Sequence, residues 1–270
     1  MAPSNSFRTL LSKFFANPDV ENADLNSTAS IALHREIIRK NPLLQAYYCY
    51  VYKYYAKIEN SLSYLNGPSL EIGSGGGFLK EYIPVVITSD VVPSDGIDKV
   101  EDVTRLSFGN NSLKAVYANG VLHHVKDPVR CLTEIQRVLL PGGMFVCNEP
   151  SSTLFGYFQN RHFHHEYTNR FTKEWRIEKG GEGGRLTGAN MALPFIIFKR
   201  DRKLFEGKFK KLKIKSIIYH DFLRYCLSGG LSYRPFVPAR LCGVVNMLEA
   251  MAKPLMPAVG QLMIVTIQKI

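Results

Sequence analysis

Leu70-Glu71-Ile72-Gly73-Ser74-Gly75-Gly76-Gly77-Phe78 is the stretch that decides the fold. A short β-prone run, Ser69–Ile72, ends beside an acid. Glycines follow at alternate positions, and a helix start is expected at Phe78–Tyr82. Glycine permits positive φ and lets a ligand approach the backbone closely. In an open parallel sheet, ligands bind beyond the carboxyl ends of the strands. Taken alone, the stretch also fits a plain tight turn between a strand and a helix.

Working outward, strand and helix signals alternate. Pro84–Ser89 is β-rich, Leu113–Ala118 reads as a strand, and Asp127–Leu140 carries apolar residues at Val129, Leu132, Ile135, Val138 and Leu139, a helical stripe. Pro141-Gly142-Gly143 is expected to end that helix, with Met144–Cys147 as the next strand. Later, Arg200–Phe209 reads as a basic helix, Leu212–Tyr219 as a strand, Val237–Ala252 as a helix and Gln261–Lys269 as a last strand. Such alternation implies an α/β, Rossmann-like fold: a mostly parallel seven-stranded sheet with helices on both faces. The last strand should run antiparallel, inserted beside the fifth. Upstream, residues 1–25 read as a weakly structured lead-in. Ala29–Lys40 and Leu43–Leu65 read as helices, the second with seven tyrosines that can pack on the core or line a pocket. The expected division is an N-terminal helical extension, 1–66, packing on a core domain, 67–270.

Several motifs follow the glycine loop in order. Asp90 ends a β-rich segment 17 residues past Gly73, where a carboxylate can accept both hydroxyls of a ribose. Asp102-Val103 offers a side chain and a backbone N–H to an adenine edge. Leu106-Ser107-Phe108, Val121-Leu122-His123-His124-Val125-Lys126-Asp127-Pro128 and Leu139-Leu140-Pro141-Gly142-Gly143 come next. Together, in this order and spacing, they resemble the class I S-adenosylmethionine-dependent methyltransferases, and in particular their broad small-molecule group. The likeness covers about residues 68–150. It implies S-adenosylmethionine as cofactor, with Glu71, Gly73, Ser74, Gly75 and Gly77 at its methionine end and ribose. It further implies Asp90 at the ribose hydroxyls, Asp102 and Val103 at the adenine, and Asn119 and Gly120 flanking the sulfonium. One departure stands out: only 11 residues separate Asp90 from Asp102, so the helix that much of the family has there must be missing or reduced to a turn.

Methyl transfer from a sulfonium is an in-line displacement, and an acceptor hydroxyl needs a base. Histidine suits that task near neutral pH. His123, with His124, follows the fourth strand. His164 lies in the cluster His162–Glu166, and Glu149 ends the fifth strand. These three, His123, His164 and Glu149, are the candidate catalytic residues, although the His123-His124 doublet also suits a local structural use. No metal site is expected, since neighbouring histidines point different ways on most backbones and no H-x-x-x-H spacing occurs. Residues 151–190, rich in His, aromatics and glycine, read as a lid over the acceptor, with the Gly180–Gly184 run as a hinge.

The five cysteines have no CxxC spacing, so neither zinc nor disulfide frameworks are expected. Residues 151–270 carry 20 Lys and Arg against 8 Asp and Glu, whereas the first 150 carry 14 against 15. A basic C-terminal half attracts anions such as phosphates or acidic lipids, or is simply a solvated face. Motifs past residue 150, among them Leu186–Asn190 and Leu227-Ser228-Gly229-Gly230, look like a bacterial subgroup linked to glycan and secondary-metabolite assembly. The expected partner is therefore a small-molecule or glycan acceptor, lipid- or phosphate-linked in some versions. The alternatives are a nucleic-acid methyltransferase, which no base-flipping motif favours, and a non-catalytic S-adenosylmethionine-binding module. No apolar run reaches the about 18 residues of a membrane span, and no signal-peptide pattern is present. The expected location is cytoplasmic, with peripheral contact of the apolar Val237–Val259 stretch with an anionic membrane as one version and an ordinary core helix as the other.

Overall fold

In the computed structural model, residues 15–17, 20, 28–164, 166–177 and 188–270 are described. The Gly180–Gly184 run, His165, Leu186-Thr187 and most of the lead-in lie outside them. Seven strands form one sheet: β1 Ser69–Ile72, β2 Ile87–Asp90, β3 Lys99–Val100, β4 Leu113–Asn119, β5 Leu139–Pro150, β6 Leu212–His220 and β7 Leu262–Lys269. Their order is β3-β2-β1-β4-β5-β7-β6. The first five run parallel, while β7 runs antiparallel to both neighbours, β5 and β6. This is the expected α/β topology, and both predicted C-terminal strands are present.

Every residue of β1 is buried. A strand at the centre of a parallel sheet is covered on both faces, which is why it reads as a continuous β-prone run rather than an alternating one. One face packs on helix α3, Pro128–Val138, through Leu132, Ile135 and Val138, and on Ile196, Ile197 and Phe198. The other packs on helix α2, Pro42–Ser61, through Leu44, Val51, Tyr52 and Tyr55. Helix α1, Thr28–Lys40, precedes it. Asn41 separates the two helices. Its side chain accepts the amides of Leu43 and Leu44, Pro42 takes the first-turn position, and its Nδ2 donates to the Ser228 carbonyl at 2.8 Å.

Three local expectations are corrected. The helix at Phe78 is a single 3-10 turn, Phe78–Glu81, because Pro84 follows closely. The β-rich run at Pro84 yields a strand only from Ile87. Pro141-Gly142-Gly143 does not separate helix from strand but lies inside β5. Helix α3 stops at Val138 because Leu140 precedes a proline and is pushed to extended backbone, which already seeds the strand. A register shift opposite, at Leu113/Ala115, and Gly142 at φ +84° absorb the irregularity. Between Asp90 and Asp102 the two-residue β3 stands where a helix was expected to be missing or reduced to a turn.

Past β5 come α4, Leu154–His162, and α5, Arg202–Lys208, the latter preceded by a wide π turn at Ile196–Arg200. Trp175 ties the intervening segment to the core, donating its ring N–H to Asp201 at 2.9 Å. The C-terminal helices are α6 Arg224–Ser228, α7 Cys242–Met251 and α8 Met256–Val259. On α7 only Cys242, Val245 and Glu249 are buried, while Val244, Met247 and Met251 are exposed, so this helix is not an ordinary core helix. No described helix is long and apolar enough to cross a membrane.

A buried ionic knot closes the end of β6. Asp221, at φ +55°, accepts Arg224 Nε at 2.6 Å and the second guanidinium nitrogen at 2.7 Å, and pairs with His220 Nδ1 at 2.6 Å. Burial alone would raise this carboxyl, but Arg224 and His220 hold it below its ordinary value of 3.8. A depressed acid contributes stability that is present above its unfolded pKa and lost as pH falls through the folded one. Asp221→Ala should therefore cost about 3–5 kcal/mol near neutral pH, the usual effect of leaving one partner of a buried pair alone. The deficit should shrink as the pH is lowered below about 4. Urea unfolding at a series of pH values measures both, and a pH-independent difference would detach the effect from Asp221 ionisation.

Candidate active site

The glycine loop leaves β1 with Gly73, Gly75 and Gly77 all at positive φ. At Gly73 the space is also closed: a Cβ there would lie 2.5 Å from Val121 Cγ2. Hydrogen bonds fix the loop to the end of β2. Ser74 N donates to the Ser89 carbonyl at 2.8 Å, Ser89 N to Ser74 Oγ at 3.0 Å, and Gly75 N to Asp90 Oδ2 at 3.2 Å. From the other side, Arg35 on α1 donates to the Gly76 carbonyl at 2.9 Å. Sequence reasoning missed Arg35, which sits 41 residues upstream of its partner with no motif around it.

A cavity of about 1100 Å³ opens above this loop. Gly73, Ser74, Gly75, Asp90, Asp102, Val103, Asn119, Gly120, His123 and His164 all border it. Glu71 and Gly77 do not. Gly77 faces Gly96 and Arg35 on the far side of the loop. Glu71 is buried behind it, and its Oε2 has no hydrogen-bond partner. Burial, with the charge of Asp90 adding to it, pushes the Glu71 carboxyl up to about 8 despite Ser74 and Tyr52 nearby. Asp102 stands at the rim, where Oδ1 accepts both N–H and hydroxyl of Thr104 at 2.8 and 2.7 Å. One of its oxygens is therefore engaged in holding its own turn.

At the end of β4 the chain makes a 3-10 turn, Leu122–His124. Glu149, at the end of β5, organises that turn. Its Oε1 accepts the amides of Val121 and Leu122 at 3.0 and 2.7 Å, and its Oε2 meets His123 Nδ1 at 2.7 Å. Glu149 is fully buried, and both its oxygens are engaged. In this structure it holds the turn in place, its two oxygens meeting the amides of Val121 and Leu122 and the His123 ring. Burial pulls His123 down, but Glu149 and Glu166 outweigh it and push the imidazole up to about 10. His124 goes the other way, to about 4, through burial and the charge of His123. Glu166, although burial raises it, is held well below the usual carboxylate range by the three histidines around it, His123, His164 and His124. His164 Nδ1 accepts the Glu166 amide at 3.2 Å. His162, by contrast, packs on Phe158 with ring centroids 4.8 Å apart and does not border the cavity.

A second polar chain was not anticipated. Tyr47 donates to Asn119 Oδ1 at 3.0 Å, Asn148 Nδ2 donates to both Tyr47 Oη and Asn119 Oδ1 at 2.8 Å, and Asn148 Oδ1 pairs with His220 Nε2 at 2.6 Å. The tyrosine run of α2 therefore divides its work. Tyr47, Tyr48 and Tyr52 border the cavity, while Tyr55 is buried and donates to the Ala118 carbonyl at 2.6 Å. The remaining wall comes from α4 and the residues after it (Phe155, Phe158, Phe163, Met191) and from the segment 225–236 that contains Gly229-Gly230.

Residues 70–147 match the family described as "Methyltransferase domain". The ubiquinone biosynthesis O-methyltransferase of Cereibacter sphaeroides is 32% identical over 99 residues, 29% of this chain and 39% of that protein. The demethylmenaquinone methyltransferase of Renibacterium salmoninarum is 41% identical over 58 residues, 22% of this chain and 24% of that protein. The chain thus spans well under half the length of these curated relatives. A solved S-adenosylmethionine-dependent methyltransferase from Thermotoga maritima, described as a possible histamine N-methyltransferase, aligns over 88% of this chain and 99% of its own, with TM-score 0.44 and 13% identity. The matched domain runs from β1 into β5, through the glycine loop and the His123-His124 turn, on the sheet described above. Residues 70–147 of the chain are thus a methyltransferase domain, similar to those of S-adenosylmethionine-dependent enzymes.

Proposed function

We propose that this protein transfers the methyl group of S-adenosylmethionine to a small molecule with an aromatic or otherwise apolar body. The observation that carries this reading is the single cavity that begins at the glycine loop and Asp90 and ends among tyrosines and phenylalanines. Its about 1100 Å³ exceeds the roughly 300–1,000 Å³ of common ligand pockets, leaving room for an acceptor beside the cofactor. The relatives named for ubiquinone and demethylmenaquinone methylation favour an acceptor of that apolar kind. The aromatic wall favours it over a bare glycan.

The residues fit the cofactor. S-adenosylmethionine supplies an electrophilic methyl group on a cationic sulfur, together with an ammonium and a ribose. The unpartnered Glu71 Oε2 suits a nearby cation, and Gly73 and Gly75 present bare backbone to the cavity. Asp90, buried at the end of β2 and bordering the cavity, is assigned to the ribose hydroxyls. Asn119 and Gly120 end β4 where the reacting sulfur belongs, with Asn119 oriented by Tyr47 and Asn148. Val103, with Asp102 at the rim, is assigned to the adenine. The protein's own work is to hold the methyl donor, exclude water with α4 and the segment after it, and align the acceptor for in-line attack. A membrane-peripheral, cytoplasmic enzyme is the accompanying proposal, favoured by the exposed Val244, Met247 and Met251 of α7.

Incubation with radiolabelled S-adenosylmethionine and a panel of phenols, prenylated quinols, oligosaccharides and RNA tests the reading. Label should enter the apolar phenolic or quinol class. Cofactor binding with no transfer to any of the panel would reassign the chain as a binding module, and label in RNA would replace the acceptor class. Asp90→Ala should weaken S-adenosylhomocysteine by about 1.5–3 kcal/mol per charged hydrogen bond lost, read by calorimetry. Unchanged affinity would remove Asp90 from the site.

Glu71 gives a pH test. Its carboxyl titrates near 8 in the free protein and is mostly protonated at pH 7. A cationic ligand favours the ionised form, so binding should release protons below that pH. Affinity for S-adenosylmethionine should rise from pH 6 to about 8 and then level off. Glu71→Gln should flatten the profile and bind more weakly above pH 8. Calorimetry in buffers of different ionisation enthalpy counts the protons, and none released at pH 7 by the native protein would show that Glu71 does not meet the cation.

A further inference from the structure

Among the described residues, His123, His124 and Glu166 form a group whose ligand atoms all lie within 4.8 Å of one another. The details are those of a metal site. His123 Nε2 stands 3.6 Å from Glu166 Oε2, and His124 Nε2 stands 3.5 Å from Glu166 Oε1. Both distances are longer than the about 2.7–3.2 Å of an N–H···O hydrogen bond. They are close to the spacing between ligands of one ion: donors about 2.0–2.2 Å from a tetrahedral metal stand roughly 3.4 Å from each other.

The rings are held as ligating histidines are. His123 Nδ1 meets the Glu149 carboxylate at 2.7 Å, and His124 Nδ1 meets the Gly188 carbonyl at 3.1 Å. When each Nδ1–H donates to its oxygen, the lone pair of each Nε2 faces Glu166. The 3-10 turn makes this possible for adjacent residues, placing the two ring centroids 4.1 Å apart with planes 39° apart. Neighbouring histidines in an extended strand would point to opposite faces. All three side chains border the cavity, so a bound ion keeps positions open toward it. A Cβ on Gly120 would sit 3.7 Å from His123 Cε1, which puts the site beside the end of β4. His164 is not part of the set, because its Nδ1 already accepts the Glu166 amide.

We propose that His123, His124 and Glu166 bind one divalent transition-metal ion, with Glu149 as the positioning carboxylate behind His123. Two imidazoles and a carboxylate with open positions suit Zn2+ or Fe2+ rather than Mg2+ or Ca2+, which prefer all-oxygen sites. The open positions suit an oxygen-bearing acceptor, such as a phenol or catechol. That clause rests on the methyl-transfer reading, but the ion binding does not.

Chelator-washed full-length protein is titrated with Zn2+ by calorimetry, and with Co2+ followed by its visible spectrum. One equivalent should bind, and the Co2+ spectrum should show ligand-field bands without the intense thiolate charge-transfer band of cysteine ligation. His124→Ala and Glu166→Gln should each weaken binding at least about 10-fold, and Glu149→Gln by about 10–100-fold as an outer-sphere partner. Melting curves and S-adenosylhomocysteine affinity report whether the variants fold. Should they not, Co2+-induced paramagnetic shifts of histidine ring protons in the native protein decide. No stoichiometric binding, a thiolate band, unshifted histidines, or undiminished affinity in folded His124→Ala and Glu166→Gln would each overturn the proposal. Failure of methyl transfer with metal bound would count against the enzymatic reading alone.

Discussion

The mouth of the sheet depends on one buried carboxylate. Glu149 is fully excluded from solvent, yet it meets two backbone amides and an imidazole, all from the turn that leaves β4. A carboxylate buried without such partners would cost several kcal/mol. With them, the ends of the two parallel strands are locked together, and the His123-His124 turn has one conformation. Val121, on the same turn, fills the space beside Gly73, so the shape of the glycine loop is set partly from β5, two strands away.

Buried acids around the cavity meet different fates for a common reason. Glu71 lacks a partner for one oxygen and is driven toward neutrality by burial. Asp221 is just as buried but is paired with Arg224 and His220, and it stays ionised. What separates them is the number of donors that the fold supplies, not depth. The acid that closes the end of a strand is fully paired, whereas the one behind the glycine loop is left short of partners.

Much of the glycine-loop end of the sheet was legible because it is local. A buried strand, positive-φ glycines and an acid at the next strand end are all set by residues close in sequence. The sheet order followed from the alternation of elements, and the shortened link to β3 from the few residues between Asp90 and Asp102. Pro141-Gly142-Gly143 misled because those residue types usually end regular structure, while a register shift let β5 run through them. For Glu149, its place at a strand end was visible, but the amides that meet it were not. Arg35, Tyr47 and Asn148 were missed or left undecided, since their partners lie 41, 72 and 29 residues away. A tyrosine-rich helix carries no sign of which rings will face a cavity. That depends on how α2 lies across the sheet.

The wall of the cavity opposite the glycine loop is built from α2, α4 and the 225–236 segment, all outside the matched stretch of residues 70–147. The polar ties from this wall to the matched stretch come from α2: Tyr47 to Asn119, Tyr55 to the Ala118 carbonyl, and Glu59 to Tyr117 and Lys114. Under the proposed function, drift in the peripheral helices would reshape the space offered to an acceptor while the donor cradle stayed as it was. In such an architecture, kinship across the shared core preserves the donor more faithfully than the recipient, and new recipients are reached by repainting one wall.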